Sequence, residues 1–172
     1  MSLTRWATAA LTAVLVLVLA PVLTAAAPAV GPRGGPLDGF TIAHLPAQVG
    51  ARTAPADFTY EWEDVSFTSR VWEQAKEGGG FQVVLQVLVL RGDKLTDLAT
   101  AREFLTRYHE RDPSTWELGE FDQGTVLGLY GRAEAFWTPE PGVVVEVRDA
   151  SGLLGEEAML ATARGIVEGA PA

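Results

Sequence analysis

Apolar and polar positions alternate from Phe58 onward. Phe58, Tyr60 and Trp62 are separated by Thr59 and Glu61, the two-residue period of a strand with one buried face. The apolar parity then slips by one, to Val65, Phe67 and Val71, so a turn or bulge is expected at Glu63-Asp64. Phe81 to Leu90 is the clearest strand. Phe81, Val83, Leu85, Val87 and Val89 form one apolar face, and Val84, Leu88 and Leu90 make the other half apolar, which places this strand inside a sheet. The run Lys76-Glu-Gly-Gly-Gly80 before it reads as a loop.

Arg91-Gly-Asp93 turns the chain into a helix from about Asp97 to Glu110, ended by Pro113. Its stripe is Leu98, Ala101, Leu105 and Tyr108, three or four residues apart, and Glu103 can pair with Arg107 one turn on. Short strands follow at Trp116 to Phe121, Thr125 to Tyr130, Arg132 to Trp137 and Val143 to Asp149. Gly124, Gly131 and Thr138-Pro-Glu-Pro-Gly142 separate them as turns between antiparallel neighbours. A last helix is predicted from about Gly155 to Glu168, with Leu160, Ala163 and Val167 facing inward and Glu156 and Glu157 suited to its first turn. A shorter strand, Phe40 to Leu45, precedes Pro46 and a loop to about Asp57. Runs of strands with two helices set apart predict an α+β fold: a single antiparallel, curved β-sheet of about six strands with two amphipathic helices packed on it.

The first residues follow a different pattern. Arg5 precedes an uncharged run from Trp6 to Val30, strongest over Leu11-Thr-Ala-Val-Leu-Val-Leu-Val-Leu19, then Pro21 and the small residues Thr24-Ala-Ala-Ala-Pro-Ala29. A positive start, an apolar stretch and a small-residue exit are the parts of a signal peptide, cleaved after Ala26 or Ala29. The same run is long enough to be an uncleaved membrane anchor. Either way the expected organisation is a leader or anchor over residues 1–29, a flexible linker over 30–36 and one globular domain over 37–170. The protein is then secreted, or held at the cell membrane through its N-terminal segment.

Charge narrows the partners. Arg5 is the one charged residue of the leader, so the remainder carries 12 basic and 22 acidic residues and a formal charge of −10. Such a field opposes phosphate backbones, and no basic run offsets it locally, so nucleic acid is not expected as a partner. An anionic lipid surface is disfavoured on the same ground. Cysteine is absent, which removes disulfides, thiol catalysis and thiolate metal sites. Arginine outnumbers lysine 11 to 2, a bias that accompanies GC-rich coding sequences.

Candidate chemistry is sparse. Ser66, Ser69, Ser114 and Ser151 lie outside any G-x-S-x-G elbow, and the only histidines are His44 and His109. His109 falls at a predicted helix end, where a cationic side chain complements exposed carbonyls. Two isolated histidines without cysteine fit no common zinc pattern, and the acidic cluster Glu61, Glu63 and Asp64 lacks a calcium loop, reading instead as a solvated strand face. Gly78-Gly79-Gly80 lacks the Lys-Ser/Thr ending of a phosphate loop. No catalytic residue, metal or cofactor is therefore expected. Trp62, Trp72, Trp116 and Trp137 are the candidate ligand-contacting aromatics, able to stack on a sugar ring or an apolar ligand, although core packing explains such residues as well.

The C-terminal stretch Leu127-Gly-Leu-Tyr-Gly131, Glu134-Ala-Phe-Trp137 and Pro141-Gly-Val-Val-Val-Glu-Val147, followed by the closing helix, resembles a domain family of unknown function. That family occurs in exported or anchored proteins of Gram-positive bacteria, some encoded beside sigma-factor regulators. Phe40 to Leu45, ending in Leu-Pro, is similar to the family's usual opening, while the Tyr60 to Asp64 segment and the long central helix depart from it. The resemblance spans most of residues 38–168. It implies an extracytoplasmic α+β domain with a curved sheet like those of lipoprotein carriers, and it supplies no catalytic residues. The expected role is a non-catalytic binding or sensing module that meets a protein or small-molecule ligand at the cell surface. The alternatives are a carrier of an apolar ligand or glycan on an aromatic-lined sheet face, and a hydrolase whose paired carboxylates converge only in three dimensions.

Overall fold

A computed structural model describes residues 34–49 and 55–169. The predicted leader or anchor, residues 1–29, lies outside them. Among the described residues ten strands and two helices run in the order β1 (Gly35–Leu37), β2 (Phe40–Ile42), a 3-10 turn (Ala47–Val49), β3 (Pro55–Trp62), β4 (Val65–Ala75), β5 (Phe81–Arg91), α1 (Leu98–Tyr108), β6 (Gly119–Gln123), β7 (Val126–Tyr130), β8 (Glu134–Glu140), β9 (Val143–Arg148), α2 (Glu156–Arg164) and β10 (Ile166–Glu168). The fold is α+β and the pairing is antiparallel throughout, as the sequence predicts.

The single sheet of about six strands is corrected. Seven strands form the main sheet in the order β3-β4-β5-β9-β8-β7-β6, and β1-β2-β10 form a second, three-stranded one. The extra strands come from segments whose local pattern points elsewhere. Gly35 and Pro36 fall within the predicted linker, yet they pair with Ile42 and Thr41 of β2. The last helix stops at Arg164, and Ile166 to Glu168, predicted as helix, pair with β2 instead. Gly165 marks the break. A Cβ there would lie 2.5 Å from the His44 Cβ, and the Gly165 carbonyl accepts the Ala43 N–H at 2.8 Å, so chain can approach chain only without a side chain. Val167, predicted to face inward, is consequently exposed.

Each face of the main sheet carries one helix. Met159, Leu160 and Ala163 of α2 pack with Leu85, Val87 and Val89 of β5, Val143, Val145 and Val147 of β9, and Ala135 and Trp137 of β8. Ala101, Phe104 and Leu105 of α1 pack with Phe67, Leu88, Leu90, Phe136 and Val144, which point the other way by strand alternation. The central strand β9 is therefore buried on both sides and reads as a nearly continuous apolar run.

Two local features set the register. Trp62 pairs with Val65 across Glu63 and Asp64, whose φ angles of 47° and 58° are both left-handed, the twist of a two-residue hairpin turn. In β5, Trp72 faces Leu85 while Glu73 faces Val83, so Val84 is an extra residue, a β-bulge. Val84 and Leu85 both join the α2-side core, and the parity beyond reverses. Phe81, predicted on the apolar face, is exposed as a result. Helix α1 begins at a capping box, in which the Thr100 N–H donates to Asp97 Oδ1 at 2.8 Å and the Asp97 N–H donates to Thr100 Oγ1 at 3.0 Å. Among the described residues no helix is long and apolar enough to cross a membrane.

Candidate functional site: a buried charge network beside an open cleft

On the α1 face of β9, strand alternation points Val144, Glu146 and Arg148 the same way. Helix α1 covers Val144, and its C-terminal cap, His109, arrives over Glu146. Register sets Glu146 between Leu88 and Phe136, so a carboxylate stands in an otherwise apolar row with 0 % of its side chain exposed. Burying such a charge is costly unless it is paired. Its partners are His109 Nε2, 2.8 Å from Oε1, and Arg148 Nε, 3.7 Å from the same oxygen. With Glu146 ionised, Nε2–H is the donor. Oε2 has no hydrogen-bond partner among the described residues.

A second ion pair lies one register step away. Arg148 sits opposite Glu134 on β8, and Glu134 accepts the Trp116 Nε1–H at 2.7 Å and is ion-paired with Arg111. The Arg111 guanidinium also stacks over the Trp116 ring at 5.4 Å. Gly131 makes room for this arrangement, since a Cβ there would fall 2.8 Å from Glu134 Oε1. On the other side of His109, its ring packs 4.7 Å from that of Tyr108, whose hydroxyl shares a 2.6 Å hydrogen bond with that of Tyr60 on β3. Burial, and after it the bond with Tyr108, pushes the Tyr60 phenol above its ordinary range.

Glu134 also forms the floor of a cleft of about 950 Å³ walled by Arg111, Trp116, Tyr130, Arg132 and the loop before α2. Asp149 borders the same cleft but is turned inward. It accepts the N–H groups of Leu153, Leu154 and Gly155 at 3.0, 2.9 and 3.0 Å and so fixes the loop that starts α2.

The four candidate tryptophans do not share a surface. Trp72 and Trp137 are each 2 % exposed and packed in the α2-side core, which leaves them no surface to offer a ligand. Trp62 is half-buried against Phe104 and Tyr108. Trp116 alone borders the cleft. His44 lies on the surface beside Gly165. Glu63, in the Glu61 to Asp64 acidic cluster, pairs with Lys94 and Arg107 at 3.6 and 3.4 Å. Among the described residues no three His, Asp or Glu side chains converge as a metal site.

Sequence reasoning missed Glu146, Arg148, Glu134 and Arg111. One signal was available: Glu146 is the sole charge in Val143-Val-Val-Glu-Val147, and a strand apolar on both sides of its pleat must bury that acid. Its partners follow from β9–β8 register and from where α1 ends, which local pattern does not reveal.

The His109–Glu146 pair is shielded from solvent. A histidine oriented by a buried acid is half of a nucleophile-activating arrangement, but among the described residues no hydroxyl hydrogen-bonds to His109, and 6 % of its side chain is exposed. Glu134 and Asp149 are likewise engaged, by Arg111 with Trp116 and by three backbone N–H groups. These interior acids are engaged within the fold, and the open surface beside them is the cleft. No protein-family model, curated protein or solved structure matches the chain.

Proposed function

We propose that the chain is an extracytoplasmic, non-catalytic binding or sensing module, secreted or tethered to the membrane by residues 1–29, with the cleft over Glu134 as its ligand site. The observation that carries this reading is the contrast between spent and open groups. Glu134 is engaged by Arg111 and Trp116 and Asp149 by three backbone N–H groups, and Glu146 is wholly buried under His109 away from the cleft, so none is presented as a free general acid or base, while the adjacent cleft of about 950 Å³ is open. Its wall offers the Arg132 guanidinium and the Tyr130 ring, with Arg111 held on Glu134 and the largely buried Trp116 behind them, a surface suited to a polar ligand with a flat or anionic portion. Support for the location comes from the leader pattern of the first residues and from the resemblance to exported Gram-positive domains.

Two measurements test it. Fractionation of cells producing the full chain, with N-terminal sequencing, is expected to find the protein outside the cytoplasm; cytosolic protein retaining Met1 and free of lipid would defeat the location. Titration with panels of glycans, peptides and acyl chains, followed by amide chemical shifts, is expected to move residues 111–134. Turnover of a substrate without such binding would favour an enzyme instead.

A further inference from the structure

One edge of the main sheet is unpaired among the described residues. Strand β3 is the terminal strand, paired with β4 on one side and with no described strand on the other. It is eight residues long, about 26 Å at the usual rise, and seven of the eight are exposed. Proteins usually blunt such an edge with short length, lysines or an inward charge. Here there is no lysine, the only charges are Asp57 and Glu61, and the sole proline is Pro55 at the first position, which leaves the rest of the edge able to hydrogen-bond.

The two faces of this edge differ. Ala56, Phe58, Tyr60 and Trp62 point toward the α1 side, with Phe58 53 % exposed and Tyr60 stacked on Phe67. Asp57, Thr59 and Glu61 point to the opposite side by strand alternation, while Glu63 of the hairpin that follows is held on the α1 side by Lys94 and Arg107. Arg70 ion-pairs Asp57 at 2.6 Å, whereas Glu61 has no ion pair among the described residues. A strand laid along β3 would therefore meet apolar surface on one face and acid on the other.

We propose that β3 recruits an extended segment of a partner protein in which apolar and basic residues alternate, adding an eighth strand to the sheet. Backbone hydrogen bonds along the edge supply the attraction, Phe58 and Tyr60 seat the apolar side chains, and Glu61 with the surrounding negative field selects Lys or Arg on the other face. A second copy of this chain is the poorer occupant, because symmetric antiparallel pairing about Thr59 would set Asp57 opposite Glu61. This names a partner class for the binding role proposed above and rests on that role, but it uses a surface separate from the cleft.

The test is titration of the full-length protein with an eight-residue peptide of alternating lysine and valine, and with its glutamate–valine counterpart, read by amide shifts. The lysine peptide is expected to bind and to shift residues 55–62 and their β4 partners; the glutamate peptide is expected not to. Phe58→Asp and Glu61→Lys, both on exposed positions, should each weaken the lysine peptide at least tenfold and leave the unfolding midpoint nearly unchanged. Equal binding by both variants, shifts confined to residues 111–134, or a dimer whose contacts map to β3 would each overturn the proposal. Loss of peptide binding at β3 with ligand shifts retained at residues 111–134 would sink this inference alone and leave the cleft reading standing.

Discussion

Glu146 is the residue on which the α1 side of the core turns. It is fully buried, and its bond to His109 is the contact that reconciles a carboxylate with Leu88 and Phe136 as neighbours. His109→Ala should leave that charge buried with only the longer Arg148 contact. The expected cost is about 3–5 kcal/mol in denaturant unfolding, the magnitude for removing one partner of a buried pair. Replacing both ends with leucine should recover much of it, since an apolar pair has no charge to desolvate. If His109→Ala alone were nearly neutral, the pair would not be holding the helix end. Tyr60 gives a second expectation. Its phenol is held above its ordinary range by burial and by Tyr108, so the unfolded chain ionises first as pH rises past about 10. The folded state then binds more protons than the unfolded one, and stability should fall through the alkaline range. Tyr60→Phe should flatten that fall, measured as the unfolding midpoint against pH.

At the scale of elements, Arg70 joins the two sheets. From β4 it bonds Asp57 of β3 through both Nε and Nη2, and its Nη1 reaches the Gly34 carbonyl just before β1. The bond to Arg70 holds the Asp57 carboxyl below its ordinary value, so its contribution is present above about pH 4, where the unfolded carboxyl is ionised, and fades as pH falls through the lower folded value. Asp57→Asn should therefore lower stability near neutral pH slightly and make the acid limb shallower, read from unfolding midpoints between neutral and acid pH. An unchanged acid limb would show the pair to be ornamental. Elements of this kind were partly legible in the sequence. The hairpin at Glu63-Asp64 is visible because apolar parity slips there, and α1 because Leu98, Ala101 and Leu105 keep helical spacing. Phe81 and Val167 were misplaced because their fate depends on partners. The Val84 bulge answers to β4, and Ile166 to Glu168 become a strand because β2 offers an edge. Periodicity carries no information about which distant edge is vacant. The same blindness hid the candidate site, since His109, Glu146, Arg148 and Glu134 are brought together by register between strands and by the stopping point of one helix.

Across the whole molecule, the small sheet is a clasp. β2 lies between β1, where the described fold begins, and β10, where it ends, so one short strand ties both to the α2-side core through Phe40 and Ile42. The clasp closes late in sequence: until Ile166 arrives, β2 has one open edge, and Ile42 lacks the neighbour that Ile166 supplies. Ending the chain at Gly165 should then cost more than the fraying of a short terminus would suggest. It takes away Ile166, 2 % exposed, as well as the bond from the Gly169 N–H to the Gly39 carbonyl at 2.7 Å. Loss of one buried isoleucine is worth about 2–5 kcal/mol, against about 0.5 kcal/mol or less for Val167→Ala on the exposed side of the same strand. Chemical denaturation of both variants separates the possibilities. A single cooperative transition shifted only in the truncated chain means that the clasp and the seven-stranded sheet share one core, as Leu37, Phe40 and Ile42 packing with Trp72, Leu85 and Met159 requires. Two transitions would mean that the small sheet opens by itself, and the surface it uncovers would then be Trp72 and its neighbours, a route by which that buried tryptophan would meet a ligand.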